Sequence, residues 1–318
     1  MTELTLGRLG YGAANVGNLY RALTDDEAWR TLEAAWDSGV RYFDTAPHYG
    51  LGLSERRLGA FLATKPRDEF VLSTKVGRLL RPYPEGAGRL DDANDFAVPA
   101  DLVRVWDFTA DGVRRSLDES LERLGLDAVD VLFLHDPERH DLQRGLSEGL
   151  PALAALRDEG LVSAIGVGSM DTEALLAAAR SGVVDLLMVA GRLTLVDQSV
   201  ADQVLPACRA HQVGIVAAAV FNSGLLATDA PSAGSRYDYH QVPSDLLART
   251  RRIAEVCAQY DVPLPVAALQ YPLQQREVRS VVVGGAGPEQ VRQNAARLDV
   301  DVPAELWKRL DAEGLVVL

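Results

Sequence analysis

Three polar residues follow apolar stretches of the chain and have the types needed for acid and base chemistry. Asp44 follows Val-Arg-Tyr-Phe, Lys75 follows Val-Leu-Ser-Thr, and His135 follows Val-Leu-Phe-Leu. Tyr49 lies in the segment just after Asp44. A free tyrosine titrates near ~10 and exchanges protons poorly at neutral pH, but a nearby ammonium favours the phenolate and lowers the pKa. These residue types therefore predict a site that gives a proton to a carbonyl oxygen or removes one from a hydroxyl.

Each residue has a separate role in that prediction. Lys75 would supply the positive charge, and Asp44 would hold the lysine in place and keep it protonated. A neutral His135 would donate a hydrogen bond to the substrate oxygen. Taken singly, each has an ordinary structural alternative, namely a helix cap, a lysine reaching solvent and a loop histidine. Their shared position at strand ends favours the catalytic interpretation.

The elements that must position these residues are short apolar strands that alternate with longer amphipathic helices. Strand patterns rich in Val, Ile and Leu occur at residues 9–12, 40–44, 70–75, 129–135, 164–168, 186–190, 214–220 and 280–284. Such alternation predicts parallel strands with crossover helices. An open doubly wound sheet would show it too, but eight units favour an α/β fold of the (β/α)₈ TIM-barrel type, formed as a single domain by residues 1–318. In a barrel the carboxyl ends of all strands open on one face, where the four side chains would meet.

Two irregular segments, residues 78–107 and 228–243, interrupt this alternation. They are longer than a connection in a barrel needs, and we expect them to lie as long loops over the carboxyl-terminal face. Asp91, Asp92, Asn94 and Asp95 in the first segment favour a hydroxyl-rich substrate, with simple exposure to water as the alternative. His48 and Trp106 are expected to bind the substrate, and packing positions are their alternative.

The composition argues against several other functions. The chain has 45 acidic and 32 basic residues, a net charge of -13, which repels phosphate backbones and anionic lipid surfaces. We therefore expect neither nucleic acid nor a membrane as a partner. Cys208 and Cys257 form no close pair and no ligand cluster with histidine, so we predict no metal site and a cytoplasmic location. The start of the chain lacks a signal-peptide pattern, and no apolar run approaches the ~20 residues that span a bilayer.

The residues of the predicted site also carry a resemblance to a known family. Residues 43–50 resemble the Asp and Tyr signature of the aldo-keto reductases, residues 73–75 resemble that family's lysine strand, and residues 134–137 its histidine strand end. The resemblance extends from about residue 6 to residue 294. It implies a barrel enzyme whose catalytic residues are Asp44, Tyr49, Lys75 and His135.

The resemblance also implies a nicotinamide cofactor site. Residues 165–169 are similar to the family's motif on strand five, and Ser169 stands where an amide normally holds the nicotinamide carboxamide. Residues 190–195 and 221–226 resemble a subgroup that acts on sugars, the aldose and fucose 1-dehydrogenase-like members. In that subgroup Phe221, Asn222 and Ser223 would follow the pyrophosphate. Arg192 is assigned to the cofactor site as well, with hydroxyl binding or structural ion pairing as alternatives.

The segment 283–294 resembles the family's adenosine-phosphate site. It is a glycine-rich turn that enters a helix with Pro288 near its start, where free N–H groups and the helix dipole favour an anion. Many relatives carry Lys and Arg where this chain has Gly284 and Gln290, so the case for a 2′-phosphate clamp is weakened, and we expect NADP or NAD as the cofactor. The cofactor contacts predicted in this segment are Gly284, Gly285, Ala286, Gln290 and Asn294.

The expected function is that of an NAD(P)-dependent oxidoreductase acting on a small sugar or aldehyde. The resemblance implies oxidation of an aldose at its anomeric carbon to a lactone, or the reverse carbonyl reduction, with Tyr49 as the general acid and base. A general aldehyde reductase and a dehydrogenase for a pyridoxal-like alcohol remain alternatives. A further alternative is a non-catalytic subunit that senses the cofactor.

Overall fold

Eight parallel strands form a closed barrel in the computed structural model, which describes residues 4–238 and 240–318. In chain order the barrel strands are β1 (Leu9–Gly12), β2 (Tyr42–Asp44), β3 (Val71–Val76), β4 (Val131–His135), β5 (Ala164–Ser169), β6 (Leu186–Ala190), β7 (Gly214–Ala218) and β8 (Val278–Val283). Each strand pairs with the next barrel strand in the chain, and β8 closes the barrel against β1. The predicted (β/α)₈ architecture is confirmed.

Helices cover the outside of the barrel. They are α1 (Asp25–Asp37), α2 (Leu53–Leu62), α3 (Ala110–Leu124), α4 (Leu150–Asp158), α5 (Thr172–Arg180), α6 (Val204–His211), α7 (Ser244–Ala258), α8 (Leu264–Gln270), α9 (Pro288–Leu298) and α10 (Ala304–Ala312), with a shorter piece at Leu142–Arg144. The start of α1 is closed by a capping box, in which Thr24 Oγ1 accepts a hydrogen bond from Glu27 N at 3.2 Å and the Glu27 carboxylate accepts one from Thr24 N at 2.7 Å. Within the described residues, no helix has both the length and the apolar character needed to cross a bilayer.

Alternation along the strands determines which side chains enter the barrel. Tyr42, Val131, Phe133, Met188 and Val216 belong to one buried apolar cluster, which fills the barrel interior. Successive side chains of a strand point to opposite faces, so Asp44 shares the inner face of β2 with Tyr42, and His135 shares that of β4 with Phe133. The polar groups therefore lie on top of an apolar plug, at the carboxyl end of the barrel.

Several strand ends differ by one or two residues from the sequence prediction. β3 continues one residue beyond Lys75, to Val76. β7 ends at Ala218 instead of residue 220, because Ala219 has a positive φ of 52° and leaves the extended conformation. These shifts leave the predicted polar residues at the same end of the barrel.

The two long connections contain more regular structure than the sequence indicated. In the first, Arg78–Pro82 pairs antiparallel with Leu102–Trp106, and Leu90–Asp91 pairs with Phe96–Pro99. In the second, Arg236–Tyr237 pairs with His240–Gln241. Hydrogen-bonded hairpins hold their side chains in fixed positions, which matters for the first connection because it contacts the polar residues described below.

Candidate active site at the carboxyl end of the barrel

Asp44 and Lys75 form a buried ion pair at the ends of β2 and β3. Lys75 Nζ donates to Asp44 Oδ2 at 2.6 Å and to the carbonyl oxygen of Thr45 at 2.9 Å, and Ser73 Oγ donates to Asp44 Oδ1 at 2.7 Å. Burial raises the pKa of Asp44, against the opposing charge of Lys75. For Lys75, burial acts to lower the pKa, but Asp44 and Tyr49 more than offset it and raise the pKa. The lysine therefore carries its proton at neutral pH.

Tyr49 lies in the turn after β2, with its ring over the lysine. Lys75 Nζ is 4.7 Å from the centroid of the Tyr49 ring. The expectation that Lys75 brings the pKa of Tyr49 below its ordinary value is wrong in this structure. Burial dominates and raises the pKa of the phenol, while the charge of Lys75 acts in the opposite direction. The phenol is therefore protonated at neutral pH, the form in which it can give a proton to a substrate oxygen.

Two histidines stand beside this phenol. The ring centroid of His135 lies 6.0 Å from that of Tyr49 and 5.6 Å from that of His48. Burial, and after it the charge of Arg78, lowers the pKa of His135 well below its usual range. Burial likewise lowers the pKa of His48 to about 2, with the charge of Arg104 as the next cause. Both imidazoles are neutral near pH 7, so each has one nitrogen that donates and one that accepts.

His48 has an unsatisfied nitrogen on this side of the barrel. Its Nδ1 atom is buried and has no hydrogen-bond partner in the described parts of the chain. A buried polar atom without a partner is costly, and such atoms commonly face a ligand. The predicted substrate contact at His48 is therefore chemically reasonable, because the free nitrogen can hydrogen-bond a substrate hydroxyl.

Trp106 packs within the first long connection. The guanidinium carbon of Arg78 lies 4.3 Å from the centroid of the Trp106 ring, and Arg78 also donates to Asp136 Oδ2 at 2.7 Å. The Trp106 ring stacks on that of His140, with centroids 5.4 Å apart and planes inclined by 5°. Trp106 thus has the packing position that the sequence left as an alternative.

One acidic residue of the same connection is engaged inside the protein. Asp91 accepts hydrogen bonds from Arg104 at 3.0 and 2.6 Å and from Asn94 at 2.8 Å. Asp92 and Asp95 are exposed. Asp91 is thus used inside the protein, Asn94 is half-buried beside it, and the exposure of Asp92 and Asp95 to water agrees with the alternative for these residues. The expectation that this cluster favours a hydroxyl-rich substrate stays a prediction.

Gly284, at the exit of β8, has little room for a side chain. A Cβ atom there would come within 2.4 Å of Asn15 Oδ1. The carbonyl oxygen of Gly284 accepts a hydrogen bond from Asn294 Nδ2 at 3.2 Å, which ties the turn to α9. A lysine at this position would have to displace Asn15.

The next residues of this turn are held through their backbone. The hydroxyl of Tyr11 donates to the carbonyl oxygen of Gly285 at 3.0 Å, and Ala286 N donates to Gln290 Oε1 at 2.9 Å. Arg21 donates to the carbonyl oxygen of Ala286 at 2.8 Å. The structure thus brings together the five residues predicted here and adds a guanidinium that the sequence did not indicate.

The segment after β7 forms a tight turn with an unusual backbone. Ala219, Asn222 and Ser223 have φ values of 52°, 44° and 55°. Asn222 Nδ2 donates to the carbonyl oxygen of Gly191 at 3.2 Å. Its Oδ1 atom is buried and lacks a partner among the residues that the structure describes. Phe221 lies beside it, with its ring centroid 5.5 Å from the guanidinium carbon of Arg297.

Ser169 and Arg192 are both engaged by other protein groups. Ser169 Oγ donates to Glu138 Oε1 at 2.8 Å and accepts one backbone N–H, which leaves its hydroxyl one acceptor position. Arg192 pairs with Asp197 at 3.0 Å and with Asp238 at 2.7 Å. Arg192 thus has the structural ion-pairing position that was its alternative in the sequence.

Comparison with known proteins identifies the family. The model of the aldo/keto reductase family matches residues 8–313. The chain belongs to the aldo/keto reductase family. It is an oxidoreductase, and NAD or NADP is its hydride carrier.

Two curated relatives of this reductase match it over nearly its full length. A D-threo-aldose 1-dehydrogenase of Pseudomonas sp is 61% identical, in an alignment that covers 98% of this chain and 95% of the relative. A pyridoxal 4-dehydrogenase of Microbacterium luteolum is 39% identical, with coverage of 99% and 96%. A solved aldo-keto reductase of Bacillus halodurans, in its holo form, superposes with a TM-score of 0.77 at 22% identity and covers 100% of this chain and 94% of its own. That superposition supports the barrel fold.

Two features of this aldo-keto reductase fit a bound dinucleotide. The Oδ1 atom of Asn222, which has no partner among the described residues, is an acceptor that a ligand can satisfy. In the part of the chain that the structure describes, no side chain caps the start of α9 after Gly287, so its first N–H groups are available to an anion such as a phosphate. These two features lie at the ends of β7 and β8, on the same face of the barrel as Tyr49.

Sequence reasoning missed three arginines of the reductase. Arg21 contacts the turn after β8, Arg78 contacts Asp136, and Arg104 contacts Asp91. Their partners are distant in the chain or lie in a loop without a recognisable motif. Neither periodicity nor a short motif carries a signal for such contacts.

Proposed function

We propose that this aldo-keto reductase is an aldose 1-dehydrogenase, which oxidises the anomeric carbon of a sugar to a lactone and uses Tyr49 as its acid and base. The relative at 61% identity, named D-threo-aldose 1-dehydrogenase, supports the substrate class. The buried pair of Asp44 and Lys75 beneath the Tyr49 ring is the observation that carries the chemistry.

Tyr49 moves the proton in this mechanism. In the reducing direction the Tyr49 phenol gives its proton to the carbonyl oxygen and is left as the phenolate. In oxidation the phenol first loses its proton to solvent, and the resulting phenolate receives the proton of the hydroxyl at C1. Lys75 stabilises this phenolate, since its charge lowers the cost of ionising the buried phenol. Asp44 keeps the lysine protonated and fixed. When bound, NAD(P) supplies the acceptor and donor of the hydride.

The two histidines orient the sugar. A neutral His135 donates a hydrogen bond to the reacting oxygen, because burial lowers its pKa and keeps the ring uncharged beside Tyr49. His48 offers its free Nδ1 atom to a neighbouring hydroxyl of the sugar. A polyhydroxylated substrate would satisfy both groups.

The groups that would hold the cofactor come from three strand ends. Ser169 has one acceptor position for the carboxamide, and Asn222 has an unpartnered oxygen in the turn after β7. Phe221 and Ser223 flank Asn222. The turn after β8, with Gly284, Gly285, Ala286, Gln290 and Asn294, would hold the adenosine end at the start of α9.

A second candidate function is oxidation of a pyridoxal-like alcohol. The relative at 39% identity is named pyridoxal 4-dehydrogenase, and the rings of His48, Phe96 and Tyr49 stand together at the site. A flat aromatic substrate could pack against these rings.

Steady-state kinetics with NAD and NADP, over a panel of aldoses including L-fucose, simple alcohols, aldehydes and pyridoxal, tests the proposal. We expect the highest kcat/KM with an aldose and a lactone as the product. A preference for pyridoxal or for simple aldehydes would replace the proposal with the corresponding alternative. A single slow turnover of cofactor with every compound would indicate a sensing subunit.

We also propose a cytoplasmic location. Cys208 and Cys257 are buried thiols, and burial raises the pKa of each to about 12. Unreactive, unpaired thiols suit a reducing compartment.

A further inference from the structure

Arg104 joins the first long connection to the turn that carries Tyr49. It lies on the strand Leu102–Trp106 and donates through Nη2 to the carbonyl oxygen of His48 at 2.7 Å. The same guanidinium binds Asp91 through two hydrogen bonds, at 3.0 and 2.6 Å. One side chain thus connects the hairpin, the loop tip and the residue immediately before Tyr49.

This contact is buried and geometrically restricted. The side chains of Arg104 and Asp91 are 10% and 8% exposed. Asn94 also donates to Asp91, at 2.8 Å, which fixes the carboxylate further. A two-point contact between a guanidinium and a carboxylate holds the planar group in a defined orientation. The third bond, to His48, is therefore formed by a donor that cannot move freely.

Backbone hydrogen bonds within the turn around Tyr49 hold it on the side that faces the barrel. Tyr49 N donates to Ala46 O at 3.1 Å, and Gly52 N donates to Pro47 O at 2.9 Å. From the loop side, the ring of Phe96 meets the His48 ring edge-on, with centroids 5.5 Å apart, and lies 6.2 Å from the Tyr49 ring. Arg104 adds a directional hydrogen bond on the loop side, where the packing of rings alone would allow the turn to shift.

We propose that Arg104 is a positioning residue for the reaction, which acts through the His48 carbonyl oxygen to fix Tyr49 and His48 against the substrate. This inference rests on the proposed role of Tyr49. Displacement of a reacting group by about 1 Å can lower a rate on the order of 100-fold. Loss of the Arg104 bond frees the turn on the loop side, so we expect a defect in turnover that exceeds any defect in cofactor binding.

The paired strand of the same hairpin offers a control. Arg81 lies on Arg78–Pro82 and binds Glu119, on α3, at 2.9 and 3.0 Å. It is an arginine–carboxylate contact in the same hairpin, but it is directed toward an outer helix instead of the Tyr49 turn. Arg81→Met therefore removes a comparable contact without affecting the proposed positioning.

The test compares Arg104→Met, Arg104→Lys and Arg81→Met by kcat, KM and dinucleotide Kd, at a temperature well below each variant's unfolding midpoint. We expect Arg104→Met to lower kcat about 100-fold and leave the dinucleotide Kd within about twofold. Arg104→Lys, which keeps a donor for His48, should recover most of kcat. Arg81→Met should match the wild type.

A normal kcat in folded Arg104→Met would overturn the inference, and so would an equal loss in Arg81→Met. If Arg104→Met does not fold, Asp91→Asn decides in its place, because it weakens the two hydrogen bonds that orient the Arg104 guanidinium. A kcat reduced severalfold at unchanged dinucleotide Kd would support the inference, and a kcat equal to the wild type would contradict it. Tyr49→Phe, measured in parallel, separates the two claims. An active Tyr49→Phe refutes the proposed function, whereas an inactive Tyr49→Phe with a normal Arg104→Met refutes only the positioning role.

Discussion

The ammonium of Lys75 lies 2.6 Å from a carboxylate oxygen of Asp44, and both side chains are almost completely removed from solvent. A buried charge is tolerated only when it is paired and hydrogen-bonded. The pair is supported on both sides, by Ser73 on the carboxylate and by the carbonyl oxygen of Thr45 on the ammonium. The barrel therefore holds a positive charge beneath Tyr49 at a buried position, where protein groups instead of water stabilise it.

Removing the negative partner should destabilise the whole barrel. Asp44→Asn leaves the Lys75 ammonium buried without a counter-charge, and we expect a loss of about 3 kcal/mol or more in the free energy of unfolding. Asp26→Asn removes an exposed partner of Arg30, whose ion pair with side chains 58% and 75% exposed should contribute less than about 1 kcal/mol. Urea unfolding of both variants measures the difference, and equal losses would contradict the account of the buried pair.

The two buried histidines should make stability depend on pH. The folded protein keeps His48 and His135 neutral, since burial lowers the pKa of each, whereas the unfolded chain binds a proton at each near pH 6.5. The contribution of the two neutral histidines to the free energy of unfolding is therefore complete above pH 6.5. It is lost as the pH falls toward the pKa of each histidine in the folded protein. At pH 5 we expect a loss of about 2 kcal/mol for each histidine.

Urea unfolding at pH 7.5 and pH 5 checks this expectation. His48→Asn and His135→Asn should each reduce the pH dependence, since each removes one of the buried imidazoles. An imidazolium signal from His48 or His135 near pH 6, observed by NMR, would contradict the neutral assignment.

A cation at the start of α9 should shift the cofactor preference. Gln290 now accepts a hydrogen bond from Ala286 N, at the turn assigned to the adenosine end. Gln290→Arg would add a donor for a 2′-phosphate, and we expect the ratio of kcat/KM for NADP to that for NAD to rise about tenfold. Gln293→Arg adds the same charge further along the exposed side of the helix. Equal effects of both variants would show that only the general charge matters and would refute this assignment.

The polar cluster at the carboxyl end of the barrel could be predicted from the sequence because each of its residues follows a local pattern. Asp44, Lys75 and His135 terminate apolar strands, and parallel strands bring their carboxyl ends to one face. The same reasoning located Tyr49, since it lies in the short turn after β2. Strand alternation and the count of eight strands, which indicates a closed barrel, were sufficient to predict where these four residues lie.

The surroundings of these residues depend on contacts that no local pattern encodes. Arg104 meets His48 across 56 positions of sequence, and Arg78 meets Asp136 across 58. The pKa of Tyr49 was predicted in the wrong direction for a related reason. The charge of Lys75 could be anticipated from residue types, but the depth of burial that outweighs it is a property of the folded barrel.

The most direct test of the central claim is the turnover of Tyr49→Phe with the best aldose substrate, measured together with the dinucleotide Kd. The substitution removes the hydroxyl and keeps the ring over Lys75. We predict that kcat falls on the order of 10³-fold or more, as the loss of a general acid and base requires, while the Kd changes by less than about twofold. A variant that turns over aldose at a rate near that of the wild type would show that another group moves the proton and would contradict the account.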